Sequence, residues 1–114
     1  MAAALKAIGR VVVPAAGTPV FLPVPPDINP PAVHAILISA LQTNTGNVYI
    51  GLANMNKDSS VLYNVLQVLP IPTSTSIPTF SIAVVQGANA IRLTDFWFDA
   101  DVSGDGVLVS GLVA

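Results

Sequence analysis

The sequence predicts an all-β fold, an antiparallel β-sandwich or jelly-roll-like barrel with a short N-terminal arm, on three observations. All six acidic residues are Asp and none is Glu, so the carboxylates sit on turn-forming rather than helix-forming side chains. Ten prolines and eight glycines are spread along 114 residues. Between them lie short runs that alternate with period two, broken by turn signals about every 8–12 residues, the spacing of sandwiches and barrels.

The elements follow in order. AAALKAI (2–8) predicts a turn or two of helix stopped by Gly9, too short to stand alone and so either a flexible tail or an arm ordered by a neighbour. RVVVP (10–14) and PVFLPV (19–24) are β-prone runs around the turn AAGT. Their prolines confine them to sheet edges or strand ends. PPDINPP (25–31) reads as a stiff, extended connector. Residues 1–31 are therefore expected to be arm and connector, and 32–114 the sandwich domain.

Within that domain AVHAILISAL (32–41) is apolar on both faces, as in a central strand covered on both sides. QTNTGN turns the chain into NVYIGLANM (47–55), and NKDSS leads into VLYNVLQVL (61–69). PIPTSTSIPT (70–79) connects to FSIAVV (80–85), and QGAN turns again. IRLTDFWFD (91–99) and GVLVSGLVA (106–114) are the last two strands.

Charge is scarce. Four Lys and Arg, six Asp and one His give a formal net charge of −2, with 53% hydrophobic residues. Scattered Lys6, Arg10, Lys57 and Arg92 cannot make the clustered basic face that displaces counterions from nucleic acid. No apolar run approaches the ~20 residues of a membrane helix. Lys6 and Arg10 interrupt what would be the apolar centre of a secretion signal. With no cysteine there is no disulfide framework and no thiolate metal site or nucleophile. An apolar chain with so little charge is expected to have much of its surface covered by partner subunits.

The segment DADVSGDG (99–106) places Asp99, Asp101, Ser103, Gly104 and Asp105 at the opening positions of a calcium loop. The twelfth position, which needs a bidentate carboxylate, is Ser110, and both flanks alternate as strands do. The segment is therefore expected to be a hairpin tip with Phe96 and Phe98 pointing inward and Val107 and Val109 returning alongside, the glycines supplying positive φ. Asp99, Asp101 and Asp105 stay as a weak calcium candidate, and no cofactor is expected.

His34 lies in an apolar strand, with no Gly-x-Ser-x-Gly elbow and no acid–base carboxylate pair in a pocket. An enzyme is not expected. Asp95, Trp97, Asp99 and Asp101 would share one strand face, so Trp97 is an aromatic on a polar face, which either packs on the second sheet or under a loop or anchors a protein or sugar contact. Arg10, Val11, Val12, Val13, Phe21 and Trp97 are the expected interface residues. RVVVP could add a strand to a neighbour's sheet edge.

ILISALQTNTGNVYIGLANM (36–55) followed by IRLTDFWFDADVSGDGVLVSGLV (91–113) resembles small virion proteins of tailed bacteriophages. The resemblance is carried by Asn44 to Gly51, then by Leu93, Phe96 to Asp99, and Gly104 to Val107. It covers about the last two-thirds of the chain. PIPTSTSIPT stands where a Pro-Gly-Glu-Ser-like segment is expected. The resemblance implies a β-sandwich or β-tulip-like fold without catalysis, in a capsid decoration (cement) or head-fibre protein. Such a protein would form a homo-oligomer, dimer or trimer, and bind the major capsid protein on the outer surface of the head. A carbohydrate or host-surface binding module of a phage fibre, with Trp97 and the Asp99–Asp105 tip as its contact, is the alternative. An internal capsid or baseplate part is a third.

Overall fold

A computed structural model describes residues 4–58, 60–84 and 90–113. Among these the strands are β1 (Ala4–Val12), β2 (Val20–Phe21), β3 (Ala32–Val33), β4 (Ala35–Ala40), β5 (Val48–Asn56), β6 (Tyr63–Leu69), β7 (Thr79–Ala83), β8 (Ile91–Arg92), β9 (Trp97–Ala100) and β10 (Gly106–Val113). A 3-10 turn at Leu93–Asp95 separates β8 from β9. No helix among the described residues is long and apolar enough to cross a membrane.

Two four-stranded antiparallel sheets carry the fold, the first ordered β1-β10-β4-β7 and the second β2-β9-β5-β6, with a small β3-β8 pair beside them. The pairs β1·β10, β2·β9, β4·β7 and β5·β6 are nested in sequence, outermost with outermost. The chain is thus doubled back on itself, and successive pairs alternate between the two sheets.

Period-two alternation then fills the space between the layers. Val11 of β1, Ile36 and Ile38 of β4 and Val107 and Val109 of β10 meet Val48 and Ile50 of β5 and Phe98 of β9. Each of the larger ones, such as Ile36, Ile38, Ile50 and Phe98, is at most 2% exposed. Burial of a side chain of that size stabilises by about 1.5–3 kcal/mol.

Several expectations need correction. Residues 4–8 are not helical: β1 runs from Ala4 opposite Val113 to Val12 opposite Gly106, so the segment is an edge strand of the chain's own sheet and not a free arm. A register shift at Ala7/Gly9, with Gly9 at φ 150°, lets Ile8 and Val11 both face inward although three residues apart. That spacing imitates a helical face. PPDINPP is not extended either. Ile28 donates its N–H to the Pro25 carbonyl at 3.1 Å, and its side chain is buried in the core.

The predicted strand 91–99 is interrupted at Leu93–Asp95, so Asp95 does not share a strand face with Trp97. The predicted hairpin at 99–106 is instead an arch. β9 lies in the second sheet between β2 and β5, whereas β10 lies in the first between β1 and β4. Phe98 and Val107 do both point inward, but from opposite layers. The runs at 47–55, 61–69, 80–85 and 106–114 hold the strands β5, β6, β7 and β10, with residues 61 and 62 still in the turn before β6, and the QGAN turn lies outside the described residues.

Finally, β4 is central in its sheet but covered on one face only. Ile36, Ile38 and Ala40 are buried, while Leu37 on the other face is 44% exposed.

Candidate functional site

The arch at Asp99–Asp105 organises the end of the molecule where four loops meet. Asp99 is 1% exposed, and its Oδ1 accepts N–H bonds from Gly17 at 2.9 Å and Ala100 at 2.8 Å, which pins the AAGT loop. Asp105 is 6% exposed, and its Oδ2 accepts from Thr45 N–H at 3.0 Å and Gly46 N–H at 2.8 Å. Asn44, also buried, donates from Nδ2 to the Gly106 carbonyl at 2.8 Å and accepts at Oδ1 from Gly106 N–H at 2.9 Å. That reciprocal pair reproduces a strand ladder where no strand is available.

The Asn44-Thr45-Gly46 turn and the Gly104-Asp105-Gly106 turn, about 60 residues apart in sequence, therefore clasp each other through four hydrogen bonds. Gly104, at φ 96°, needs the freedom of glycine. Gly106 needs glycine for space, since a Cβ there would lie 2.0 Å from the Val11 carbonyl oxygen.

The three carboxylates named as the calcium candidate have different partners. Asp99 holds the AAGT loop, Asp105 holds the Asn44–Gly46 turn, and Asp101 faces Lys57 at 3.1 Å and the Tyr49 hydroxyl at 3.0 Å. No group of three or more His, Cys, Asp or Glu that could hold a metal ion exists among the described residues. The three carboxylates act as separate anchors, each engaged with a different part of the chain.

Around Asp101 two titrations are displaced. Burial first, and then the hydrogen bond to Asp101, raise the Tyr49 phenol. The hydrogen bond to Asp101 raises the Lys57 ammonium, against the opposing pull of burial. Both groups hold their protons more tightly folded than unfolded. The stability they add is thus complete below about pH 10 and is lost as pH rises through the raised folded values. Lys57 and Asp101 are partly exposed, so solvent screening keeps the effect to about 1 kcal/mol or less. Urea midpoints measured from about pH 8 to about pH 11 are expected to fall, and to fall less in Asp101→Asn.

The six expected interface residues do not form one surface. Val11 and Val13 are buried in the chain's own core. Arg10 and Val12 stand on the outer face of the first sheet, and Phe21 and Trp97 on the outer face of the second. His34 lines a different hollow beside Asn29 and Pro30.

Sequence reasoning missed most of the outer face of the first sheet. Leu5, Leu37 and Leu108 are 85%, 44% and 54% exposed there, among small residues such as Ala7, Ser39, Ser81 and Ser110. Arg10 is the one charged side chain that alternation turns outward on this face among the described residues. A shallow, almost wholly apolar depression runs across it from Leu5 to Leu37 and Ala83. The two apolar faces of residues 32–41 were the available signal, since one of them was bound to need a cover.

On the second sheet Trp97 packs edge-on against Phe21, ring centres 5.8 Å apart and planes at 65°. A groove of about 710 Å³ lies on one side of the indole, between it and the Asn54–Asp58 segment, and a hollow of about 390 Å³ lies on the other.

Compared with known proteins, the chain matches no family model, and no match is found among curated proteins or solved structures.

Proposed function

We propose that this chain is a structural component of a tailed-bacteriophage virion, a capsid decoration or cement protein that stabilises the head by binding across its subunits. The observation that supports this most is the bare outer face of the first sheet. Four strands present leucines among alanines, serines and threonines with a single charge, Arg10. A lone protein rarely exposes a sheet face with so little charge. Such a face is suited to lie against a second flat surface, and the small residues let a partner's side chains seat between the leucines. The chain's resemblance to small phage virion proteins supplies the setting.

The nested pairing of eight strands in two sheets is, on this reading, a jelly roll, an architecture common among viral shell proteins. Its proposed partners are the major capsid protein and further copies of itself. Many copies, each held weakly, would add to a strong restraint because pressure on the shell must break their contacts along with the shell's own. The edge of β1 away from β10 has no strand beside it among the described residues, and on this reading it offers its backbone groups to a neighbour.

The test is sedimentation with phage heads assembled without this protein. The wild type is expected to pellet with the heads and raise their disruption temperature. The double variant Leu37→Asp, Leu108→Asp is expected to stay in the supernatant with its own melting temperature within a few degrees of wild type, since both residues are exposed. A wild-type protein that remains a monomer and never pellets would refute the proposal.

A further inference from the structure

We propose that the groove beside Trp97 is a binding site for neutral pyranose oligosaccharides. It lies on the outer face of the second sheet, opposite the apolar face, so this site does not depend on the shell-docking reading.

The aromatic wall comes from strand alternation. Phe98 is turned into the core, which turns Trp97 out. Its partner on β5 is Gly51, which has no side chain to lay over the indole, while Phe21 on β2 braces it edge-on. A partly exposed, braced indole has a face of negative quadrupole, complementary to the slightly positive C–H face of a pyranose ring. Its volume, about 710 Å³, is in the range of small-molecule sites.

The polar wall identifies the ligand class. Asn56 accepts the Asp58 N–H at Oδ1, which leaves its amide N–H groups to donate. Asp58 takes both of its bonds from Ser60 at Oδ1, and Asp99 takes both of its own at Oδ1. Among the described residues the Oδ2 atoms of these two carboxylates have no hydrogen-bond partner, and both residues line the groove. Lys57, also on the wall, is already paired with Asp101.

The site therefore offers the Asn54 and Asn56 amides and the exposed Asp58 carboxylate against an aromatic face, with Asp99 buried at its floor and Lys57 beside both carboxylates. Such a wall exchanges hydrogen bonds with hydroxyl groups, and its carboxylates outnumber its one ammonium, which disfavours phosphates, uronates and sialates. A neutral polyol with an apolar face fits, and a pyranose is one. The second hollow across Trp97 gives a following sugar unit somewhere to rest.

Trp97 is the only tryptophan, so its fluorescence reports on the groove directly. The purified full chain is titrated with maltotetraose, cellotetraose and tetra-N-acetylchitotetraose, with sialyllactose as the anionic control, each to about 10 mM, which covers affinities down to the millimolar range. At least one neutral tetrasaccharide is expected to give a saturable change that sialyllactose does not give. Asn56→Ala and Asp58→Ala, made separately and checked for an unchanged melting transition, are expected to weaken it about tenfold each, or about 1.4 kcal/mol. No saturable change with any of the three neutral sugars would overturn the proposal. So would equal binding by both variants, or equal binding of sialyllactose.

Discussion

Gly106→Val is expected to remove a large part of the protein's stability at 25 °C. Even the first carbon of any side chain at this position would lie 2.0 Å from the Val11 carbonyl oxygen and 2.9 Å from the Val12 Cα. The obstacle is backbone, so no rotamer relieves it. Relief requires β1 to leave β10, and with it the register from Val11 opposite Val107 to Val12 opposite Gly106. Ile8, Val11 and Val13 then lose their place in the core, and Asn44 loses the backbone groups it clasps. Forced overpacking commonly costs about 1–3 kcal/mol, and separation of a core strand raises the loss to about 4 kcal/mol or more, against a domain stability of about 5–15. Urea denaturation measures it, and amide exchange at Val11 to Val13 locates it. A loss below about 1 kcal/mol would show that β1 does not depend on the close approach at Gly106.

Asp105→Ala is expected to cost about 3 kcal/mol, because two backbone donors, Thr45 and Gly46, lose their only side-chain acceptor at once. Both bonds end on the same oxygen, Oδ2, so the control is sharp. Asp105→Asn keeps one carbonyl oxygen that can occupy that position, and is expected to lose only the charge-assisted part, about 1 kcal/mol. Equilibrium unfolding of the two variants side by side checks the prediction. Equal losses would mean that the carboxylate acts by charge alone. No loss in either would mean that the clasp between the two turns contributes nothing.

Much of the β architecture was legible before any coordinates. Phe96, Phe98, Val107 and Val109 were expected inward and are inward. The turn at Gly104 was expected to need positive φ and has it. Trp97 was expected to face out of its sheet and does. The candidate site was less legible. The groove beside Trp97 needs Asn54–Asp58 of β5 and its loop to stand across from β9, and the bare leucine face needs β1, β10 and β4 in register. Neither juxtaposition has a local trace in the chain.

The amino-acid sequence by itself determined that this protein is made of short strands, which side of most strands is apolar, and where many of the turns fall. These are consequences of alternation and of Gly, Pro, Asn and Asp chemistry, which act over a few residues. Tertiary structure alone decided which sheet each strand joins. An arch and a hairpin make the same demands on the alternation of Asp99 to Gly106, and only the competition among distant partners places β9 and β10 in different layers. The same holds for β1, whose partner β10 begins with Gly106 and ends beside the last residues of the chain, opposite Ala4. A pairing that closes so long a loop is selected by the burial of Ile8, Val11 and Val13 against both sheets, a gain that exists only once the rest of the sandwich is in place.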